Sequence, residues 1–252
     1  MANARGKYVY FMDNDDVILQ NCLETLYNAI EESKSDVVHM GSWWETEDEN
    51  FPYGAAVRMT EIFCNDSEPR FLSDDIEQRL QNEFVTNSLY YPPWLKLYRR
   101  KFLVEGGLYF PTIVRFGDGL HMLAEFCTAR KIRVIDGFYY VYRLHNEQTM
   151  RQSAEKQLRA GLESLPIAFE FLQELFASKK LISPISKQLQ HDVERHIIME
   201  FFKIFICKPY MNNLPAEDID KILREVLYQP KMMNPEVMRA IINTFSYLLI
   251  SK

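Results

Sequence analysis

Apolar runs alternate with helical stripes at the start of the chain, and this pattern predicts an α/β fold. Residues 8–12 form a short apolar run between Gly6 and a polar cluster, as is typical of a buried strand. Apolar residues then recur at the spacing of one helical face: Leu23, Leu26, Tyr27 and Ile30. A further apolar run at 37–40 predicts the next strand. Strand, helix and strand in this order indicate an α/β unit.

The middle of the chain continues this alternation. In chain order it predicts a strand pair within 51–63, a helix over 74–85, a strand at 95–98, a short helix over 99–105, a helix over 118–131, and strands at 132–135 and 138–142. Asp136-Gly137 separates the last two strands and favours a tight turn between them.

Beyond about residue 151 no strand pattern remains. Four helical stretches follow, at 155–177, 186–207, 216–228 and 235–250, and prolines punctuate them. We therefore predict a mixed α/β part over 1–150 and an all-helical extension over 151–252. The extension carries a group of apolar residues, namely Ile198, Phe201, Phe202 and Phe205. These residues either pack on the α/β part or lie on a membrane surface, and the lack of a basic face disfavours the membrane alternative.

Three carboxylates follow the first predicted strand, namely Asp13, Asp15 and Asp16, with Asn14 among them. Clustered carboxylates repel one another unless a cation lies between them. Hard oxygen ligands suit Mg²⁺ or Mn²⁺, usually shared with a substrate phosphate. Capping of the next helix is the simpler alternative, but one Asp would suffice for it. A calcium loop of the EF-hand type needs Gly at its sixth position, where this chain has Ile18.

Composition narrows the classes of partner and compartment. The 252 residues carry 29 Lys and Arg against 35 Asp and Glu, and this net charge of −6 without a basic cluster argues against nucleic acid. The four cysteines are far apart, which favours a reducing compartment. No secretory signal is visible, and the apolar stretch 197–207 is too short and too charged to cross a bilayer. We expect a cytoplasmic chain.

The segment 4–16, with its Tyr-Val-Tyr-Phe-Met-Asp-Asn-Asp-Asp run, strongly resembles the central segment of family 2 inverting glycosyltransferases, which have the GT-A fold. In that family this segment is a strand that ends in a D-x-D motif. The resemblance implies that Asp13 and Asp15 hold Mn²⁺ or Mg²⁺ on the diphosphate of a nucleotide-sugar donor. Such an ion neutralises the diphosphate as it leaves.

Two further segments carry the resemblance in family order. Residues 94–102 look like the W-x-K-L-Y-R-R segment near the acceptor, which implies an acceptor-side location for Trp94 and Lys96, and for Arg115 farther on. Residues 140–149 look like the Y-R-x-H-x-x-S/T segment, where a His commonly completes the metal site. That implies His145 as the third metal ligand.

The stretch 108–122 resembles the family segment that carries Glu-Asp, whose Asp is the general base. Aligning Met122 with the usual apolar residue puts Asp118 at the Glu position and Gly119 at the Asp position, so the expected base is missing in that register. A small backbone shift, which glycines permit, would let Asp118 act as the base. Two alternatives stay open: His121 as the base, and Asp118 as a mere helix cap.

The resemblance covers residues 1–150, and family members begin with a strand–helix–strand half that binds the nucleotide base and ribose. That half would precede Met1, so we expect the C-terminal portion of a glycosyltransferase. The expected fold is a partial GT-A (Rossmann-like) mixed sheet with a helical extension. Strand 8–12 would then be an exposed apolar edge, which predicts poor solubility or pairing with another chain.

The leading interpretation is an inverting glycosyltransferase, or its catalytic half, in polysaccharide or glycoconjugate assembly. The acceptor would be carbohydrate or lipid-linked, with peripheral contact at the inner face of the membrane. One alternative is a non-catalytic, degenerate GT-A module for binding or assembly. A metal-dependent phosphohydrolase is another, although no second cluster of ligands is visible for it.

Overall fold

The computed structural model describes residues 3–46, 57–61, 69–86, 92–113, 115–144, 153–203, 214–230, 234–235, 237–239 and 241–242. The chain divides into two compact units. The first consists of Met1–Phe110, His121–Asn146 and Lys180–Pro184, and the second of Pro111–Leu120, Glu147–Lys179 and Ile185–Lys252.

A mixed sheet forms the centre of the first unit. Its described strands are β1 (Tyr8–Tyr10), β2 (Val17–Ile18), β3 (Val37–Thr46), β4 (Val57–Glu61), β5 (Arg70–Phe71), β6 (Lys96–Arg99) and β7 (Ile132–Arg143). The order is β1-β6-β3-β7-β2, with β4 paired to β3 and β5 paired to β7. Only β3 and β7 run parallel among the described pairs. This arrangement confirms the predicted α/β class. Of the strand pair predicted within 51–63, the described part is β4.

Helix α1 (Cys22–Ser33) packs on this sheet through a face slightly different from the predicted stripe. Leu26 and Ile30 are fully buried as predicted, but Leu23 and Tyr27 are 49% and 50% exposed. The buried positions are Cys22, Leu26, Ala29, Ile30 and Ser33. The face is therefore rotated toward residues 22 and 29, which leaves 23 and 27 at its margin.

The remaining helices of the α/β region are short. They are α2 (Ile76–Arg79), which continues into a π-helical stretch (Leu80–Val85), a 3₁₀ turn (Pro93–Leu95), α3 (Arg100–Gly106) and α4 (Gly117–Thr128). Gly107 ends α3 in the left-handed conformation, with φ of 62°. These bounds follow the predicted helices within a few residues.

Strand β1 differs from the fully buried strand that the apolar run predicts. It covers three residues, all half-buried, and Met12 beyond it is 44% exposed. Among the described strands its partner is β6, with Val9 opposite Tyr98. It thus lies at one end of the sheet, and pairing with another chain along this edge stays a prediction.

The Asp136-Gly137 pair does not form the predicted turn. Residues 132–143 are one continuous strand, β7, parallel to β3. Met40 faces Ile135 and Ser42 faces Phe138, so two steps along β3 match three along β7 at this point. Gly137 has φ of +113°, which side-chain-bearing residues rarely adopt. The turn signal therefore marks a β-bulge.

The described residues beyond 151 are helical or irregular and contain no strand, as predicted for this part of the chain. It contains α5 (Ala154–Ala177), α6 (Lys187–Phe202) and α7 (Ala216–Leu227), with helical residues again at 235, 237–239 and 241–242. Ile198 and Phe201 are buried and Phe202 is half-buried, so the first two are not available to a membrane surface. Phe205 lies outside the described residues. Within the described ranges, no helix is both long and apolar enough to span a bilayer.

Candidate active site

The acidic cluster forms a tight loop between β1 and β2, called here the acidic loop (residues 13–16). The backbone N–H of Asp16 reaches the carbonyl of Asp13 at 3.4 Å across this turn. The side chains of Asp13, Asn14 and Asp15 are exposed, whereas Asp16 is only 6% exposed. The three carboxylates therefore have two different environments, which the sequence did not reveal.

Asp16 is engaged by β7. The Tyr140 hydroxyl donates to its Oδ2 at 2.5 Å, and the Arg143 backbone N–H donates to its Oδ1 at 2.8 Å. Burial raises the pKa of Asp16 to about 6, against the lowering effect of these two hydrogen bonds. With both oxygens turned toward the protein, Asp16 is suited to hold the loop rather than to bind a ligand outside it.

Asp13 and Asp15 remain as candidates for a cation. Burial, with the charge of Asp15 as a second cause, raises the pKa of Asp13, so these carboxylates repel each other. Two exposed carboxylates fit Mg²⁺ or Mn²⁺ when phosphate oxygens and water complete the coordination. No cluster of three or more His, Cys, Asp or Glu side chains suited to a metal occurs in the described part of the chain. His145, the predicted third ligand, lies outside the described residues.

Trp94 packs on two tyrosines of β7, Tyr140 and Tyr142, and Tyr140 also binds Asp16 of the acidic loop. The Trp94 ring stacks on Tyr140 with centroids 4.2 Å apart and planes 12° apart, and on Tyr142 at 5.6 Å. The Tyr10 hydroxyl donates to the Trp94 carbonyl at 2.6 Å. Trp94 is only 7% exposed, so most of its surface contacts protein.

Lys96 is fully buried, and its ammonium lies 3.0 Å from Oε2 of Glu125, which is buried as well. The Tyr98 hydroxyl donates to the same oxygen at 3.2 Å. Burial raises the pKa of Glu125, and the neighbouring ammonium opposes this shift. The charge of Lys96 is therefore not presented at the surface. Its acceptor-side assignment stays a prediction.

Asp118 is exposed in the first turn of α4. The helix opens from Phe116, whose carbonyl accepts from the Leu120 N–H at 3.1 Å and whose φ is +66°. A bulky residue seldom adopts this left-handed conformation, and such strain tends to concentrate at functional sites. The Phe116 ring lies over buried Gly119, where an added Cβ would come within 2.7 Å of it. Restoring an Asp at position 119 would therefore displace this ring.

The predicted acceptor-side residue Arg115 precedes this turn. It is buried, and its backbone N–H donates to Ser164 Oγ at 3.2 Å. Burial lowers the pKa of its guanidinium. The observed contact is therefore with helix α5, and contact with an acceptor stays a prediction.

His121, the alternative base, is enclosed. It is 2% exposed, stacks on Phe110 with centroids 4.2 Å apart, and meets Tyr98 edge-on at 5.7 Å. Burial, assisted by the charge of Lys96, lowers its pKa to about 3. This enclosure does not suit proton exchange with a bound acceptor. Asp118 is the better candidate of the two.

The family model described as glycosyl transferase family 2 matches residues 1–107. We call residues 1–107 the family 2 segment, because they match this model. Glycosyltransferase GlyG of Streptococcus pneumoniae serotype 4 is 28% identical over 151 residues, which cover 59% of this chain and 47% of GlyG. The uncharacterized glycosyltransferase EpsJ of Bacillus subtilis is 22% identical over 228 residues, 89% of this chain and 61% of EpsJ. The chain thus spans about half the length of these curated relatives.

Solved structures agree on the fold. TarS (residues 1–349) of S. aureus superposes with a TM-score of 0.59 at 16% identity, covering 88% of this chain and 55% of that one. Its complex with UDP-GlcNAc gives 0.57 at 18% identity, covering 89% and 59%. These similarities support the GT-A assignment of the fold.

The family 2 segment contains the acidic loop, Trp94 and Lys96, whereas Asp118 and Tyr140 lie beyond it. Sequence reasoning missed Asp16 and Tyr140 as a pair. The sequence signal for this pair was Val17-Ile18, which directly follow Asp16. Because these two residues form strand β2, which pairs with β7, Asp16 lies beside β7.

Proposed function

We propose that this chain carries the catalytic part of an inverting glycosyltransferase, which transfers a sugar from a nucleotide-diphospho-sugar to an acceptor hydroxyl. The observation that carries the proposal is the pair of exposed carboxylates, Asp13 and Asp15, at the carboxyl end of a strand in the family 2 segment. The crystal structure of TarS with UDP-GlcNAc supports a UDP-sugar as the first donor to test.

In this proposal Asp13 and Asp15 hold Mn²⁺ or Mg²⁺, which when bound neutralises charge on the leaving diphosphate. Asp118, exposed and in the first turn of α4, accepts the proton of the acceptor hydroxyl. The oxygen then bonds to the anomeric carbon while the bond to the diphosphate breaks. Attack from the face opposite the leaving group gives inversion in one displacement.

The three residues predicted on the acceptor side would influence an acceptor only indirectly. Trp94, Lys96 and Arg115 are all buried, so each would act on an acceptor through the residues that it contacts rather than through its full side chain. The proposed acceptor is carbohydrate or lipid-linked, and the proposed setting is surface-polysaccharide or glycoconjugate assembly at the cytoplasmic face of the membrane.

Calorimetric titration of UDP with and without MnCl₂ tests the donor side. We expect Mn²⁺-dependent binding that weakens at least about tenfold in Asp13→Asn and Asp15→Asn, because each change removes one charged oxygen ligand. The matched control is Asp218→Asn, an exposed Asp on α7. A UDP affinity that changes neither with Mn²⁺ nor with these substitutions would contradict the proposal.

Asp118→Asn separates the enzyme from the binding-module alternative. UDP release from UDP-sugars, measured with acceptor mixtures, should fall by roughly 10²–10⁴-fold while UDP affinity stays within about twofold. A degenerate binding module would bind UDP and release none from the sugar, with or without Asp118. That result would favour the alternative.

A further inference from the structure

The hydroxyl of Tyr140 binds the last residue of the acidic loop, Asp16. It donates to Asp16 Oδ2 at 2.5 Å. The backbone hydrogen bond across the Asp13–Asp16 turn is long, at 3.4 Å, so the shorter contact from the phenol oxygen adds a firmer hold on this loop.

The oxygen is fixed from the sheet side. Tyr140 is fully buried on β7, opposite Ile18 of β2, and its ring is sandwiched against Trp94 at a centroid distance of 4.2 Å. Neither contact involves the side chains of the acidic loop. The position of the hydroxyl is therefore set by the strand and the aromatic stack.

A second hydrogen bond to Asp16 comes from Arg143, three residues farther along β7. The Arg143 N–H donates to the other oxygen of Asp16 at 2.8 Å. A buried carboxylate with hydrogen bonds to both oxygens tolerates little displacement, since each lost bond would leave a buried polar group unpaired. Asp16 is thus held at two points of one strand, while Asp13 and Asp15 stay exposed.

We propose that Tyr140 is a positioning residue that, through Asp16, holds the acidic loop in the form that presents Asp13 and Asp15 to a ligand. Trp94 supports it through the stack, which gives the predicted acceptor-side Trp a role in the donor side of the site. The ligand consequence rests on the proposed function, because the ligand is the cation–diphosphate group.

Tyr140→Phe tests this inference, since it removes the hydroxyl and keeps the ring. The matched control is Tyr98→Phe, a fully buried tyrosine of β6 whose hydroxyl donates to Glu125. Hydrogen exchange of peptides covering 11–18 is measured on the full chain without ligand, alongside urea unfolding. We expect exchange of residues 13–17 to accelerate about tenfold in Tyr140→Phe, the equivalent of one lost hydrogen bond, and to stay unchanged in Tyr98→Phe.

Asp16→Asn serves as the conservative variant. Its amide keeps one oxygen acceptor for the Arg143 N–H and offers a donor to the Tyr140 oxygen, so this single substitution should leave exchange of residues 13–17 close to the wild-type rate. UDP affinity in the presence of Mn²⁺ should fall about tenfold in Tyr140→Phe and by much less in Asp16→Asn, in parallel with the exchange rates of the two single variants.

Equal exchange of residues 13–17 in wild type and Tyr140→Phe overturns the inference. Faster exchange with unchanged Mn²⁺–UDP affinity also overturns it, since the loop would then be held without consequence for the ligand. A wild-type chain that binds no Mn²⁺–UDP refutes the proposed function, and the exchange result alone then decides whether Tyr140 positions the loop. Should Tyr140→Phe fail to fold, Asp16→Ala breaks the same link with the ring in place, and unchanged exchange there counts against the inference.

Discussion

Replacing His121 by Phe should remove a large part of the acid sensitivity of this fold. His121 lies between Phe110 and Tyr98, near the Lys96 ammonium, and is 2% exposed. Within the described part of the chain its Nε2 is buried without a hydrogen-bond partner. A phenyl ring can keep the stacking on Phe110 and carries no proton to gain or lose.

The sign and size follow from the pKa of His121, which burial lowers from 6.5 to about 3. Between these two values the unfolded chain binds a proton at this position and the folded chain does not. Stability is therefore fully present above pH 6.5 and is lost as pH falls toward 3. At pH 5, which is about 1.5 units below the unfolded value, the loss is about 2 kcal/mol.

Urea unfolding at pH 7.5 and pH 5.0 measures this loss directly. Wild type should lose about 2 kcal/mol more than His121→Phe between the two values, a midpoint shift of about 1 M at an m-value of about 2 kcal/mol/M. At pH 7.5 the variant should unfold within about 1 kcal/mol of wild type, since a buried unpaired nitrogen is exchanged for carbon. Exposed His191→Gln controls for the loss of one histidine. Equal pH sensitivity in wild type and His121→Phe would refute the reasoning.

Three further substitutions test the packing around the candidate site. Gly119→Ala should displace the Phe116 ring and lower the melting temperature by several degrees, an effect that the same change at an open helical position would not give. Arg79→Met should cost about 3 kcal/mol in urea unfolding, because this buried guanidinium donates to three backbone carbonyl groups; a loss below 1 kcal/mol would contradict this. Lys96→Met should cost about 3–5 kcal/mol by stranding the Glu125 carboxylate, and adding Glu125→Leu should recover more than half of it.

The fold class was predictable because its signals are local. Patterns of apolar residues report on positions within one element, so strand β6 and the helices α4 to α6 come out near their observed bounds. Strand β3 begins at residue 37 as predicted but continues to Thr46, six residues beyond the predicted end. The bulge at Gly137 did not, since its cause is the register of β7 against β3, almost a hundred residues away in sequence. An Asp-Gly pair satisfies both a tight turn and a bulge, and only the neighbouring strand decides between them.

The sequence predicted which residues belong to the candidate site, but not which of them are buried and held by other side chains and which are exposed. Sequence placed Asp16 with Asp13 and Asp15 as one cluster, but the partners of Asp16 come from β7, more than 120 residues later. Lys96 likewise reads as a site residue, and its ion pair with Glu125 depends on how α4 packs on β6. Long-range side-chain pairs of this kind leave no periodic trace in a single sequence.

Within the acidic loop, Asp16 is buried whereas Asp13 and Asp15 are exposed, and this difference determines how a bound metal ion would affect the stability of the protein. Asp16 is not available to a cation outside the loop, because both of its oxygens accept hydrogen bonds from β7. Asp13 and Asp15 are the carboxylates left for an ion, and burial together with the charge of Asp15 raises the pKa of Asp13. Since hydrogen bonds to Tyr140 and Arg143 already hold the loop, an ion would bind a formed site. Its effect on stability should then follow mass action alone, about 2.7 kcal/mol at a hundredfold excess over the dissociation constant, with no loop to order.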